Sequence, residues 1–248
     1  MKKTFSAILI FATFNAFSQL TLINKEYSPQ DIVKRILLDS TENFNPKNIE
    51  YTGSPLALGV FECKMEYNKD YIKRGIILST GLAAEAKGPN QVGWQTGITS
   101  MNFDSDLQAL VTEKIYDASV LSFDFTATGD SLSFNFIFAS EEYPEYIGQG
   151  VNDVFGFFVT DLADNKKYNI AHLPDGSSIS VDNINHIKNP EYYLPNYLAN
   201  APGLDWRERP KEAELAYTFS FDGMTKMLHA SMKTIPGHTY HIKIAIGD

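Results

Sequence analysis

One cysteine, Cys63, serves a chain of 248 residues, so no disulfide can form within it. Stability has to come from packing, hydrogen bonds or a bound ion. Cys63 follows Val60-Phe61-Glu62 in a strand-like run, with no histidine nearby. That setting reads as a buried, inert thiol rather than a nucleophile. Positive charge is also scarce: 21 Lys and Arg stand against 30 Asp and Glu, a formal net charge of −9. An acidic balance argues against nucleic acid and anionic membrane surfaces as partners. Beyond the first residues, no apolar run approaches the length of a membrane helix. Histidines are few and scattered. His238 and His241 stand three apart, which on a strand puts them on opposite faces, so they make no zinc site. There is no Gly-x-Ser-x-Gly around Ser140, and Gly148-x-Gly150 is not followed by a helical run. A nucleophile elbow and a phosphate loop are therefore both missing.

The first residues do have a pattern. Lys2 and Lys3 precede an apolar run from Phe5 to Phe14, and Ala16-Phe17-Ser18 supplies small residues at a cleavage point. This is the form of a secretory signal peptide, residues 1–18, cut before Gln19. No cysteine lies at the cut, which argues against a lipid anchor. Residues 19–248 then make one domain, secreted or on the outer cell surface.

Short strand signals fill that domain. Ile76-Ile77-Leu78, Val120 to Phe125, Tyr168 to Leu173, Ile179 to Val181, Ala213 to Phe221, Lys226 to Met232 and Thr239 to Ile246 are separated by Gly, Pro, Asn and Asp. Asp222-Gly223 and Pro236-Gly237 read as turns between the last of them. Ser28-Pro29-Gln30-Asp31 reads as a capped helix start, followed by Ile32, Val33, Ile36 and Leu37 on one face. Asp104 to Leu110 predicts one or two further helical turns. The fold class is all-β: an antiparallel sandwich, jelly-roll-like, with one N-terminal helix and one or two short helical turns.

The densest stretch runs from Ser131 to Thr160. Leu132, Phe134, Phe136 and Phe138 alternate with Ser133, Asn135 and Ile137, which is strand periodicity. Val154 to Val159 makes a second aromatic strand. The expectation is that these two strands are hydrogen-bonded neighbours joined by the loop Ser140 to Asp153. Glu141, Glu142, Asn152 and Asp153 then meet at one end. No Lys, Arg or His occurs between Lys114 and Lys166 to neutralise them locally. Water, a distant basic residue or a cation has to do so. Oxygen ligands of this type suit calcium. Candidate metal ligands are therefore Glu141, Glu142, Asn152 and Asp153, joined by Asp104 or Asp106 from the helical turn. Trp94, Tyr192, Tyr193 and Trp206 lie in predicted loops. They are candidates to stack on a ligand or to pin their loops to the body.

Phe138-Ala-Ser-Glu-Glu-Tyr-Pro-Glu-Tyr146, followed by Asn152-Asp-Val-Phe-Gly-Phe-Phe158, resembles the signature of the choice-of-anchor L domain family. Tyr51 to Gly59, Gly75 to Gly81, Asp104 to Leu107, Tyr116 to Leu121 and Val181 to Asn185 resemble it too, in order. The resemblance implies a secreted bacterial surface domain whose anchoring signals vary from protein to protein. It names neither ligand nor reaction. It also implies a further acidic motif and one more strand after Asp248, so that the strand ending at Ile246 is expected to show an unpaired edge.

The reading is a non-catalytic module for adhesion or for binding an extracellular glycan or protein, stabilised by calcium. The alternative is a polysaccharide hydrolase using Glu142 and Asp153. Glu141 and Glu142 point to opposite faces of a strand and cannot themselves form the facing acid pair of such enzymes. A spacer with neither ligand nor metal is the third reading.

Overall fold

The computed structural model describes residues 20–22, 27–37, 45–64, 71–90, 101–196 and 218–248. The signal segment, Trp94 and Trp206 lie outside them, as does most of the strand expected at Ala213 to Phe221. In chain order the strands are β1 (Leu20–Leu22), β2 (Lys47–Thr52), β3 (Leu58–Cys63), β4 (Arg74–Leu78), β5 (Ser119–Thr126), β6 (Ser131–Phe136), β7 (Ala139–Ser140), β8 (Val154–Asp161), β9 (Lys166–Asn169), β10 (Ile179–Ser180), β11 (Tyr193–Pro195), β12 (Gly223–Thr225), β13 (Leu228–Lys233) and β14 (Thr239–Gly247). Among the described residues two short α-helices, α1 (Pro29–Asp31) and α2 (Ser105–Gln108), accompany them. Every strand pairing is antiparallel, so the fold is all-β.

One large sheet runs in the order β10-β8-β14-β5-β2, with β9 also on β8. Three smaller sheets, β1-β3-β4, β11-β12-β7 and β13-β6, contribute to the same core. Alternation explains the packing. In β5, Leu121, Phe123 and Phe125 are buried, while Val120, Ser122 and Asp124 are only partly so. In β14, Tyr240, Ile242 and Ile244 are buried in the same way. Their inward faces meet Leu58, Val60, Leu132 and Ala230 from the smaller sheets.

The two phenylalanine-rich strands are not neighbours in a sheet. β6 pairs with β13, and β8 pairs with β14, β9 and β10. They face each other across the core instead. The Phe134 and Phe157 rings lie 4.7 Å apart, and the Phe136 and Phe155 rings 5.0 Å apart. Strand periodicity is the same for a side-by-side and a face-to-face pair, so the residues alone do not separate them. The last strand is corrected as well. β14 is no edge: β5 pairs along one side of it and β8 along the other. Asp222-Gly223 is not a turn either, because Gly223 opens β12 between β11 and β7. A Cβ on Gly223 would stand 2.7 Å from both the Tyr143 ring and the Tyr193 hydroxyl. Close approach, rather than turn geometry, is what calls for glycine there.

The outer face of the large sheet is covered near one end. Leu107 of α2, with Ile115 and Ala118, packs on Val154, Phe158 and Ala245. That end carries the acidic residues. At α1 the expected cap is present. Ser28 Oγ accepts from Asp31 N–H at 3.2 Å, and Ser28 N–H donates back to Asp31 Oδ2 at 3.3 Å. A π-helical turn, Ile32–Leu37, carries Ile32 and Val33 into the core. Replacing the cap with Ser28→Ala is expected to cost about 0.5–2 kcal/mol. Thermal melting reads this as a fall of a few degrees, and an unchanged melt would mean that burial alone holds the helix.

Candidate metal centre

Ser140 ends β7 and sets the geometry of the loop beyond it. Its hydroxyl donates to Asp153 Oδ2 at 2.7 Å and accepts the Glu142 N–H at 2.9 Å. The Asp153 N–H points to Glu142 Oε2 at 3.4 Å. Tyr143 then anchors the loop. It is fully buried, its ring lies 4.9 Å from that of Tyr193, and its hydroxyl donates to the Ile184 carbonyl at 2.6 Å. On the far side of the loop, Asn152 is buried. Its Oδ1 accepts the Asp182 N–H at 3.1 Å, and its Nδ2 donates to Glu113 Oε2 at 3.2 Å. Asn152 thus braces the loop with both ends of its amide.

A third carboxylate arrives from the end of β14. Gly247 is opposite Val154 in the ladder, which brings Asp248 alongside Asp153. The Asp248 backbone exchanges hydrogen bonds with Tyr116, which ties it to the covering segment. Glu142, Asp153 and Asp248 each offer an oxygen, and these oxygens lie within 4.8 Å of one another. Among the described residues, no salt bridge reaches any of the three. Burial, the charge of Asp248 and the charge of Asp182 push Glu142 up to about 7. Burial and then the charges of Glu142 and Asp248 hold Asp153 well above the usual carboxylate range. Burial and then Asp117 raise Asp248. Three acids in one desolvated place oppose each other's ionisation. The group fits a hard cation, whose charge would reverse that opposition.

The other sequence candidates go elsewhere. Lys243 projects from the outer face of β14 and binds Asp104 Oδ2 at 2.7 Å and Asp106 Oδ2 at 2.5 Å. Lys167 adds a contact to Asp106 at 2.8 Å. Burial raises the Asp106 pKa, but Lys167 and Lys243 outweigh it and the net shift is downward. Asp104 also caps α2, accepting from Asp106 N–H and Leu107 N–H. These two aspartates are therefore matched by lysines and do not join the cluster. Glu141 turns away from Glu142, toward Asp222. Tyr193 is buried against Tyr143, and Tyr192 is partly buried against the core, so both pin their segment to the body. His238 and His241 pair with Asp161 and Asp124 separately. A cavity of about 430 Å³ between the layers is lined by Phe134, Phe136, Phe155, Phe157 and Ile244 among others, with no carboxylate or histidine among the described residues.

A family model described as the choice-of-anchor L domain matches residues 21–248. The chain belongs to the choice-of-anchor L domain family. No curated protein and no solved structure matches it. The family is one of secreted and surface domains. Among the described residues, no helix of this choice-of-anchor L domain is long and apolar enough to cross a membrane. Asp248 escapes a reading of the sequence because nothing local links it to Asp153. The one signal that could have found it is the pairing of the last strand with the strand after Asp153.

Proposed function

We propose that this choice-of-anchor L domain is a non-catalytic adhesion or ligand-binding module whose acidic rim holds a calcium ion. The observation that carries the reading is the convergence of Glu142, Asp153 and Asp248, with no described cation beside them. Hard oxygen ligands and loop geometry suit calcium better than a transition metal. Tyr146 is half exposed in the turn between Glu142 and Asp153, and Tyr116 is exposed beside Asp248. Aromatic faces around a cation are well suited to a glycan or a protein surface. For the hydrolase alternative, Glu142 and Asp153 would have to act as a pair, but Asp248 brings a third oxygen within 4.8 Å of both, which a two-carboxylate mechanism does not call for. Their spacing favours sharing one ion.

The test is incubation of the chain with an array of bacterial and host polysaccharides in calcium and in chelator. Retention and newly formed reducing ends are both measured. Calcium-dependent retention without cleavage is expected. Release of reducing ends that Glu142→Gln abolishes would overturn the module in favour of an enzyme.

A further inference from the structure

The smallest three-stranded sheet carries a second set of oxygens. In its ladder Ser140 is opposite Gly223, and Gly223 is opposite Pro195. One residue further along each strand stand Glu141, Asp222 and Asn196. Asn196 N–H donates to the Asp222 carbonyl at 2.9 Å, so the pairing continues there. Residues opposed across strands share a face. The three side chains therefore form a row.

That row is short of donors. Among the described residues, both Glu141 carboxylate oxygens are out of solvent and accept no hydrogen bond. Asn196 is 2% exposed. Its Nδ2 donates to the Phe221 carbonyl at 2.6 Å and the Phe219 carbonyl at 3.2 Å, which fixes the amide orientation. Its Oδ1 is then buried with no partner among the described residues. Asp222 is also buried, and takes one donor, Asn90 Nδ2 at 2.8 Å, on Oδ1. Ser220 is beside Glu141, but its hydroxyl proton goes to the Glu85 carbonyl. No salt bridge among the described residues reaches Glu141 or Asp222. One cation between the three side chains would satisfy every orphaned oxygen at once.

We propose a second calcium site, built from Glu141, Asp222 and Asn196, across the Ser140–Glu142 backbone from the first cluster. The two sites then share one short stretch of main chain, with consecutive glutamates serving one each. Two carboxylates and an amide oxygen, with water or carbonyls completing the shell, are a calcium donor set. The site does not depend on the reading of the Glu142 cluster.

Equilibrium dialysis of the chelator-treated chain against calcium chloride tests it. The parent chain is expected to bind two ions, with affinities of roughly 0.1–1 mM, the range of extracellular modules. Glu142→Gln with Asp153→Asn should leave one ion. Glu141→Gln with Asp222→Asn should also leave one, with circular dichroism confirming the fold. A parent chain that binds no ion, or whose ions all survive Glu141→Gln with Asp222→Asn, overturns the second site. So does a Glu142→Gln, Asp153→Asn variant that binds none. A parent chain that binds one ion, kept by Glu142→Gln with Asp153→Asn and lost by Glu141→Gln with Asp222→Asn, would count against the proposed rim and not against this site.

Discussion

Calcium at a hundred times its dissociation constant raises the melting temperature of the chelator-stripped domain by about 5–10 °C at pH 8. At pH 5 the same addition does little. The sign follows from the three raised carboxyls. Glu142 is pushed up to about 7, and Asp153 and Asp248 lie above their ordinary values. Without metal, the folded chain keeps protons that the unfolded chain gives up at lower pH. Where the folded state binds more protons, stability falls as pH rises. The metal-free domain is therefore most stable, as far as these groups go, below the ordinary carboxylate range, and it loses that stability as pH rises through about 7. Calcium binds only the ionised cluster, so its effect grows over the same interval and protons are released on binding. Glu142→Gln with Asp153→Asn removes the mutual repulsion. In chelator at pH 8 that variant melts above the parent, and calcium no longer moves it through this cluster. An equal calcium shift at pH 5 and pH 8, or none at pH 8, would sink the rim site.

Phe157→Ala is expected to cost about 3–5 kcal/mol, the usual loss for a buried phenylalanine. For a domain of this size that is a fall of about 6–20 °C. The Phe157 ring is 2% exposed and meets Phe134 from the opposite layer at 4.7 Å. Its removal opens a hole that neither layer can close without sliding past the other. Chemical denaturation gives the free energy directly. The Phe134→Ala, Phe157→Ala double-mutant cycle should return about 0.5–1.5 kcal/mol of coupling beyond the single losses. A single loss below about 1 kcal/mol would mean that the two layers do not meet through these rings.

Local signals are legible where chemistry and position coincide. Ser28 with Asp31, and Asp104 before Leu107, announce helix starts because caps lie within four residues of their targets. The alternation in β5 and β14 announces strands. Partner choice is not local. β6 and β8 find partners in β13 and β14, many residues later, and no residue in the Phe-rich stretch encodes that. The same limit hides the site's membership. Glu142 and Asp153 do come together, though the strands that carry them toward each other are not paired. Asp104 and Asp106 look like free acids in the sequence because Lys243 lies far along the chain. Asp222-Gly223 looks like a turn by composition, yet the tyrosines crowding Gly223 belong to other strands and loops.

The position of β14 bears on the order in which the molecule can be made. Residues 239–247 come after every other described strand in the sequence, yet they supply the seam between β5 and β8. Until that seam is synthesised, the large sheet exists only as two halves with open inner edges. Such late, long-distance closure makes for slow folding. It also leaves two open strand edges, on β5 and β8, waiting for a partner until the last residues are made, the kind of exposed edge that invites wrong pairing.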